Sequence, residues 1–251
     1  MSGSSSPSVS VVIPTLNEER NLPRVLGKLG PEVSEVVIVD GGSVDRTVEV
    51  ARELRPDATV VRQTRAGKGN ALACGFAACT SEIIVMVDAD GTADPGEIPL
   101  YVKHLTEGAD FAKSTRFGEG GRSHDITRVR RMGNDVLAFT VNRLFGAGYT
   151  DVRHGHNAFW RRVVPMMDLP DPALPRPAGG GRVWGDGFEI ETMINIRMAV
   201  NGLTVDEIPK IEYARSAKQS GLYTFRDGAL VLRAIVSEWV RARRKPRRST
   251  A

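Results

Sequence analysis

Cysteine is nearly absent: Cys74 and Cys79 are the only two in 251 residues. They lie five positions apart in a stretch of helical spacing, which turns their side chains to different faces. That suits neither a disulfide nor a zinc site, and it fits a reducing, cytoplasmic compartment. No apolar run approaches the roughly 20 residues of a membrane span, and no secretory leader pattern opens the chain. The Gly-x4-Gly-Lys-Ser/Thr spacing of a P-loop is missing. There is no internal repeat. Nothing reads as a nucleic-acid-binding module, so no nucleic-acid partner is expected.

An overall excess of positive charge is also missing once the tail is set apart. The net charge is +4, but Arg-Ala-Arg-Arg-Lys-Pro-Arg-Arg at 241–248 carries six cations, which leaves −2 for the rest. The chain is a near-neutral body with a basic tail. A tail of that kind after an amphipathic helix containing Trp239 is suited to peripheral contact with an anionic lipid surface, at the inner face of a membrane. The apolar and charged fractions, 41% and 25%, are those of an ordinary globular protein with a sizeable core.

Strands and helices alternate from residue 9 onward. The pattern predicts strands at Ser10–Ile13, Glu35–Val39, Thr59–Arg62, Ile83–Val87 and Asp110–Ser114. It predicts helices at Glu18–Leu29, Asp45–Leu54, Gly69–Ala78 and Pro95–Glu107, with Asn17 capping the first. This order argues for a mainly parallel sheet covered by helices on both faces. The second half is less regular. It holds a Gly-rich loop at Gly118–Asp125, helices at Arg128–Leu144, Phe188–Val200 and Leu222–Arg244, and a strand at Thr204–Glu207. The Pro- and Gly-rich stretch Pro170–Gly181 reads as a loop and a candidate mobile lid. Residues 1–8, rich in serine, are expected to be disordered.

In parallel sheets, ligands bind beyond the carboxyl ends of the strands. Three polar motifs fall there: Pro14-Thr15-Leu16-Asn17-Glu18, Asp40-Gly41-Gly42-Ser43 and Asp88-Ala89-Asp90. The last is the most informative. An apolar strand runs into two acids, and strand alternation places residues 88 and 90 on one side. Two neighbouring carboxylates need a counter-charge. Mg²⁺ or Mn²⁺, which prefer oxygen ligands and also accept substrate phosphates, supply one. Arg65-Ala-Gly-Lys-Gly-Asn-Ala-Leu sets Arg65 and Lys68 at a Gly-rich helix start, an arrangement suited to a diphosphate. Asp45 reads as a cap for its helix.

Taken together, Val-Val-Ile-Pro-Thr-Leu-Asn-Glu, Val-Asp-Gly-Gly-Ser-Val-Asp-Arg-Thr, Gly-Lys-Gly-Asn-Ala-Leu and Val-Asp-Ala-Asp-Gly resemble the family 2 glycosyltransferases of GT-A fold. More narrowly, they are similar to the polyprenol-phosphate (dolichol-phosphate) hexosyltransferase branch. Ser-Thr-Arg-Phe at 114–117, Gly-His-Asn-Ala-Phe-Trp at 155–160 and Glu-Ile-Pro at 207–209 extend the likeness over roughly residues 9–215. The resemblance implies an α/β, Rossmann-like GT-A domain over 9–240, with a nucleotide-sugar half at 9–117, an acceptor half at 118–240 and a basic tail at 241–251. It implies metal-dependent, inverting transfer of a hexose from a UDP- or GDP-sugar to a polyprenyl phosphate.

The resemblance also implies roles. Pro14, Thr15, Asn17, Glu18 and Asp40 would hold the nucleotide, with Lys68 and the Asp88-Ala89-Asp90 motif on the diphosphate. Asp88 and Asp90 would be the metal ligands. A hydroxyl acceptor needs a general base; Asp186 is the first candidate and Glu189 the second, while Glu191, two residues on, is expected to face elsewhere. Arg116 and Arg131 match positions that meet the acceptor phosphate, and His154 and His156 fall in the sugar-facing region, for acceptor contact or packing. Three other readings stand beside this one: a soluble small-molecule or carbohydrate acceptor, a sugar nucleotidyltransferase, and a nucleotide-binding module without catalysis.

Overall fold

The computed structural model describes residues 6–123, 126–179, 181–212 and 224–244. In chain order the elements begin β1 (Val9–Thr15), α1 (Leu22–Leu26), β2 (Glu35–Asp40), α2 (Thr47–Leu54), β3 (Thr59–Arg62), α3 (Lys68–Ala78) and β4 (Ile83–Met86). They continue with α4 (Ile98–Thr106), β5 (Phe111–Thr115), β6 (Arg122–Ser123), α5 (Arg128–Phe145), β7 (Asn157–Trp160) and α6 (Val164–Met167). The chain closes with α7 (Glu189–Val200), β8 (Val205–Pro209), β9 (Ile211–Glu212) and α8 (Thr224–Arg244).

One seven-stranded sheet runs in the order β3-β2-β1-β4-β7-β5-β8. All its pairings are parallel except those of β7, which lies antiparallel between β4 and β5. The central strands are apolar at most positions because both faces are covered. Val11, Ile13, Val36, Ile38, Ile83 and Val85 face α1 and α4, and meet Leu22, Val25, Ile98 and Tyr101. Val12, Val37, Val39, Ile84 and Met86 face the opposite layer, built from α3, α6 and α7 through Leu72, Phe76, Met167, Ile190 and Ile194. Outside α7 lies a further layer, where Leu137, Ala138 and Val141 of α5 meet Val231 and Ile235 of α8. The short strands β6 and β9 pair in parallel beside the main sheet.

Several boundaries differ from expectation. The helix predicted at Glu18–Leu29 contracts to Leu22–Leu26, with Pro23 in its first turn. Glu18–Asn21 forms a turn in which the Glu18 carbonyl accepts from Asn21 and Leu22, so Asn17 is not a helix cap. Ser8, expected to be disordered, is tied to the sheet: its carbonyl accepts from Ile83 and its hydroxyl from the Glu82 amide. Residues 1–5 lie outside the described residues. The basic stretch does not begin as a tail at 241, because α8 continues through Arg244; residues 245–251 lie outside the described residues. Among the described residues, no helix is long and apolar enough to cross a membrane.

Candidate active site

The carboxyl ends of β1, β2 and β4 lie side by side, and the polar motifs follow them. The first two loops are stitched together. Asn17 adopts a left-handed conformation, with φ of 57°, which asparagine tolerates better than most residues. Its side-chain carbonyl accepts from the Val44 amide at 2.9 Å, and its own amide donates to Ser43 Oγ at 2.9 Å. The Glu18 amide donates to Thr47 Oγ1 at 2.8 Å, and its carboxylate accepts from Asn21. Thr15 is buried and donates to the Val39 carbonyl. Asp40 accepts from the amides of Gly42 and Ser43, both at 3.0 Å. The groups expected to meet a nucleotide therefore also build the rim; only Pro14, half-buried at the strand end, makes no such tie. Asp45, expected to cap α2, lies one residue ahead of the N-cap position, which is Arg46, and accepts from the Thr47 amide at 3.0 Å.

Beyond β4 the strand ladder ends at Met86, so Asp88 and Asp90 sit on a turn rather than on one face of a strand. Ala89 between them is buried in the core. Asp90 Oδ1 accepts from the Thr92 amide at 3.1 Å and from its hydroxyl at 2.7 Å. Asp88 is half-exposed and meets Lys68 Nζ at 2.6 Å; the same ammonium meets Glu191 Oε1 at 2.5 Å. Burial alone would pull the Lys68 ammonium down, but Asp88 and Glu191 outweigh it and hold the group above its ordinary value, fully charged. Burial also pushes the Glu191 carboxyl up, against the pull of Lys68. Gly155 closes the cluster. A Cβ there would come within 2.5 Å of Glu191 Oε1, 2.8 Å of Lys68 Nζ and 3.0 Å of Asp88 Oδ2, so glycine is what lets the backbone pass this close to all three.

Glu191 was expected to face elsewhere, yet it points into the site and Glu189 does not. Glu189 Oε1 accepts from the amides of Gly185 and Gly187, at 3.0 and 3.1 Å, and holds the turn before α7. Asp186, the first candidate base, is fully buried. Its two oxygens receive Nε and Nη2 of Arg65 at 2.7 and 2.9 Å, a bidentate pairing that occupies the carboxylate. The Asp186 carbonyl accepts from the Gly69 amide at 2.8 Å. The start of α3, expected to meet a diphosphate, is thus partly capped by protein. Gly67, at φ of 129°, and Gly69 are there because the 185–187 backbone presses on them. Arg65, expected near a phosphate, instead donates through Nη1 to the carbonyls of Asp171, Pro172 and Leu174. It fastens the stretch expected to be a mobile lid.

Arg116, expected to meet an acceptor phosphate, is also committed. Its Nε and Nη2 meet Asp151 at 2.7 and 3.1 Å. Burial alone would push the Asp151 carboxyl up, but Arg116 and Lys113 hold it below its ordinary range. A carboxylate lowered in the folded state adds stability above its unfolded pKa, about 4, and loses it as pH falls through the folded value. Asp151→Asn is therefore expected to lower the urea midpoint at pH 7, with the gap to the parent closing below about pH 4; a gap independent of pH would refute the pairing. Arg131 is exposed and lies over the Phe117 ring, 5.2 Å from its centroid, and Arg116 is at 5.1 Å from the same ring. His154 and His156, expected to make acceptor contact or to pack, are both buried. His154 Nδ1 pairs with Ser114 Oγ, and the His156 ring leans on Tyr101 at 4.7 Å. Burial, reinforced by nearby cations, pushes both well below the ordinary histidine value, so both are neutral.

Does this donor set suit a divalent ion? Among the described residues, no three His, Cys, Asp or Glu side chains gather to hold one. Asp88 supplies a partly exposed carboxylate, in contact with Lys68 on one side. A hard cation that brings its own waters and a diphosphate needs only one or two carboxylates. The site fits a metal arriving with a phosphorylated ligand better than one held by protein alone.

A mainly parallel sheet flanked by helices, with a polar cluster at its strand ends, is the architecture of the GT-A glycosyltransferases. Comparison with known proteins makes the family explicit. Residues 10–164 match the model of glycosyl transferase family 2, and the chain belongs to that family; it is a glycosyltransferase. It is 32% identical over 211 residues to the polyprenol monophosphomannose synthase of Mycolicibacterium smegmatis, covering 79% of this chain and 75% of that protein. It is 35% identical over 171 residues to the dolichol-phosphate mannosyltransferase of Pyrococcus furiosus, covering 64% of this chain and 48% of that one. The fold matches glucosyl-3-phosphoglycerate synthase from Mycobacterium tuberculosis, solved with Mn²⁺, UDP and glucosyl-3-phosphoglycerate. The TM-score is 0.69 at 22% identity, over 96% of this chain and 82% of that one.

Proposed function

We propose that the enzyme transfers a hexose, with inversion, from a UDP- or GDP-sugar to a polyprenyl phosphate. The observation that carries this reading is the Lys68–Asp88–Glu191 cluster around Gly155 at the carboxyl end of β4. Asp88, with Asp90 beside it, would hold Mg²⁺ or Mn²⁺ against the donor diphosphate. Such a metal neutralises charge on the departing nucleoside diphosphate. Lys68 adds a fixed positive charge at the same place, which costs no reorganisation as leaving-group charge develops. Asp40 and the Pro14–Glu18 rim would hold the base and ribose.

The choice of acceptor rests on the tied carboxylates. Asp186 and Glu189 are both engaged within the protein. A hydroxyl acceptor needs a free base; a phosphate, already an anion, needs none. The names of the two mannosyltransferase relatives support the same acceptor class. One observation favours a second reading: Glu191, unlike Glu189, points into the site beside Lys68 and Asp88, where a carboxylate would serve a hydroxyl acceptor. Incubation with labelled UDP- or GDP-hexose, Mn²⁺ and a polyprenyl phosphate is expected to move label into the organic phase. Label that reaches only water-soluble hydroxyl acceptors would overturn the lipid-phosphate reading and leave the transferase class intact.

A further inference from the structure

Between β4 and α4 the chain passes four acids, Asp88, Asp90, Asp94 and Glu97. Three lysines from distant parts of the sequence meet this turn. Lys68, at the start of α3, is 2.6 Å from Asp88. Lys28, just after α1, is 3.0 Å from Asp94. Lys210, just after β8, is 3.5 Å from Glu97, the last residue of the 3₁₀ turn Pro95–Glu97 ahead of α4. The three are not alike. Lys28 is 41% exposed and Lys68 12%, and both make hydrogen bonds. The Lys210 side chain is fully buried, and among the described residues its ammonium makes no hydrogen bond. An apolar side chain of the same length would cost less to bury there.

The backbone leaves Lys210 little freedom. Its amide donates to the Thr115 carbonyl and its carbonyl accepts from the Arg122 amide, both at 2.8 Å. Ile208, two residues back, packs on the α4 side of the sheet, and alternation carries Lys210 to that side too. Tyr101 and His156 lie on the same side, ring against ring, and their polar atoms are buried without a hydrogen bond. Neither carries charge, because burial pushes the tyrosine up and the histidine down. Burial likewise pulls the Lys210 ammonium below its ordinary value. The acids that oppose the pull, Glu97, Asp88 and Asp94, all belong to the turn. A charge buried in this way is little screened by salt, so it acts over several ångströms without contact.

We propose that Lys210 is a positioning residue for the donor site: its buried charge holds the 88–97 turn against the sheet and balances the turn's acids, so that Asp88 and Asp90 stand in place before a donor diphosphate and its metal arrive. The part played toward the donor rests on the function proposed above. The holding of the turn does not.

Two readings on the full chain test it. Methionine fills the shape of lysine without its charge, so K210M is expected to fold. Its amide hydrogen exchange is expected to quicken by about tenfold or more within 88–97 and to keep the parent's rate in β1 and β2. E97Q removes the other member of the pair at a half-buried position and is expected to do the same, which keeps the test open should K210M fail to fold. The charge is read separately, as the Mn²⁺ concentration that half-maximally raises the unfolding temperature at saturating UDP or GDP. K210M leaves the turn more negative and is expected to need about threefold to tenfold less Mn²⁺. E97Q leaves it less negative and is expected to need more. A loss of packing alone would move both variants the same way. Parent-like exchange within 88–97 in both variants would overturn the holding role. Mn²⁺ midpoints that move in one direction in both variants, or in neither, would overturn the charge balance. A parent that responds to no nucleotide with Mn²⁺ would overturn the donor reading and the part of Lys210 in it, and exchange alone would then decide the holding of the turn.

Discussion

Arg65→Ala is expected to lower the unfolding free energy by about 3–5 kcal/mol, the usual loss when one member of a buried ion pair is removed and the other left stranded. Both side chains are almost completely buried, at 2% and 1% exposure. Arg65 joins three segments far apart in sequence: the α3 start, the 171–174 carbonyls and Asp186 ahead of α7. Without it, the buried Asp186 carboxylate loses two donors and the 171–174 carbonyls lose their tie to the α3 start. Urea unfolding measures the loss. The double variant R65M/D186L, which removes the charge from both sides, is expected to recover a large part of it. A single variant losing under about 1 kcal/mol would show that the pair is solvated and that Asp186 is available as a base after all.

Asp88→Asn is expected to lower kcat by about a hundredfold to a thousandfold, the range seen when one group aimed at developing charge is removed. The isosteric amide keeps the turn and deletes the charge. It weakens any metal held there, and it removes one of the two carboxylates that compensate Lys68. The binding counterpart is thermal. UDP or GDP with Mn²⁺ is expected to raise the unfolding temperature of the parent by linkage, and to raise that of the variant less. Wild-type turnover in Asp88→Asn would remove the metal role from the proposed mechanism; equal nucleotide stabilisation with and without Mn²⁺ would do the same.

Much of the fold was legible because its strands are unusually plain. Val9–Ile13, Val36–Val39 and Ile83–Met86 are apolar at nearly every position, as strands buried on both faces must be. β7 was missed because Asn157–Trp160 is only four residues long and antiparallel, and it follows a helix after a loop. The α1 start was misjudged because polar Glu18–Asn21 carries helical composition while its hydrogen bonds form a turn.

The candidate site was legible as motifs but not as pairings. Lys68 and Asp88 were both singled out, yet nothing local showed that they touch. Arg65 and Asp186 are 121 positions apart, and each reads alone as a surface charge near a ligand. Their burial, which turns them into structure, is a tertiary fact. Glu191 was set aside because helical spacing puts it on a different face from Glu189. That inference was sound, but the face that looks into the site belongs to Glu191. A glycine between two histidines at 154–156 was the one available hint that something packs closely there.

The antiparallel strand has a consequence for the order in which the chain can fold. β4 and β5 are successive in the first half, but neither pairs with the other; β7 lies between them. Until residues 157–160 leave the ribosome, β5 has no partner, because its other neighbour, β8, is synthesised later still. β4 meanwhile shows an open edge with its apolar side chains uncovered, a template for misplaced pairing. The two functional halves read from the sequence are therefore not two folding units. The nascent chain must keep a half-built sheet from sticking to its neighbours until the acceptor half supplies the strand that closes it.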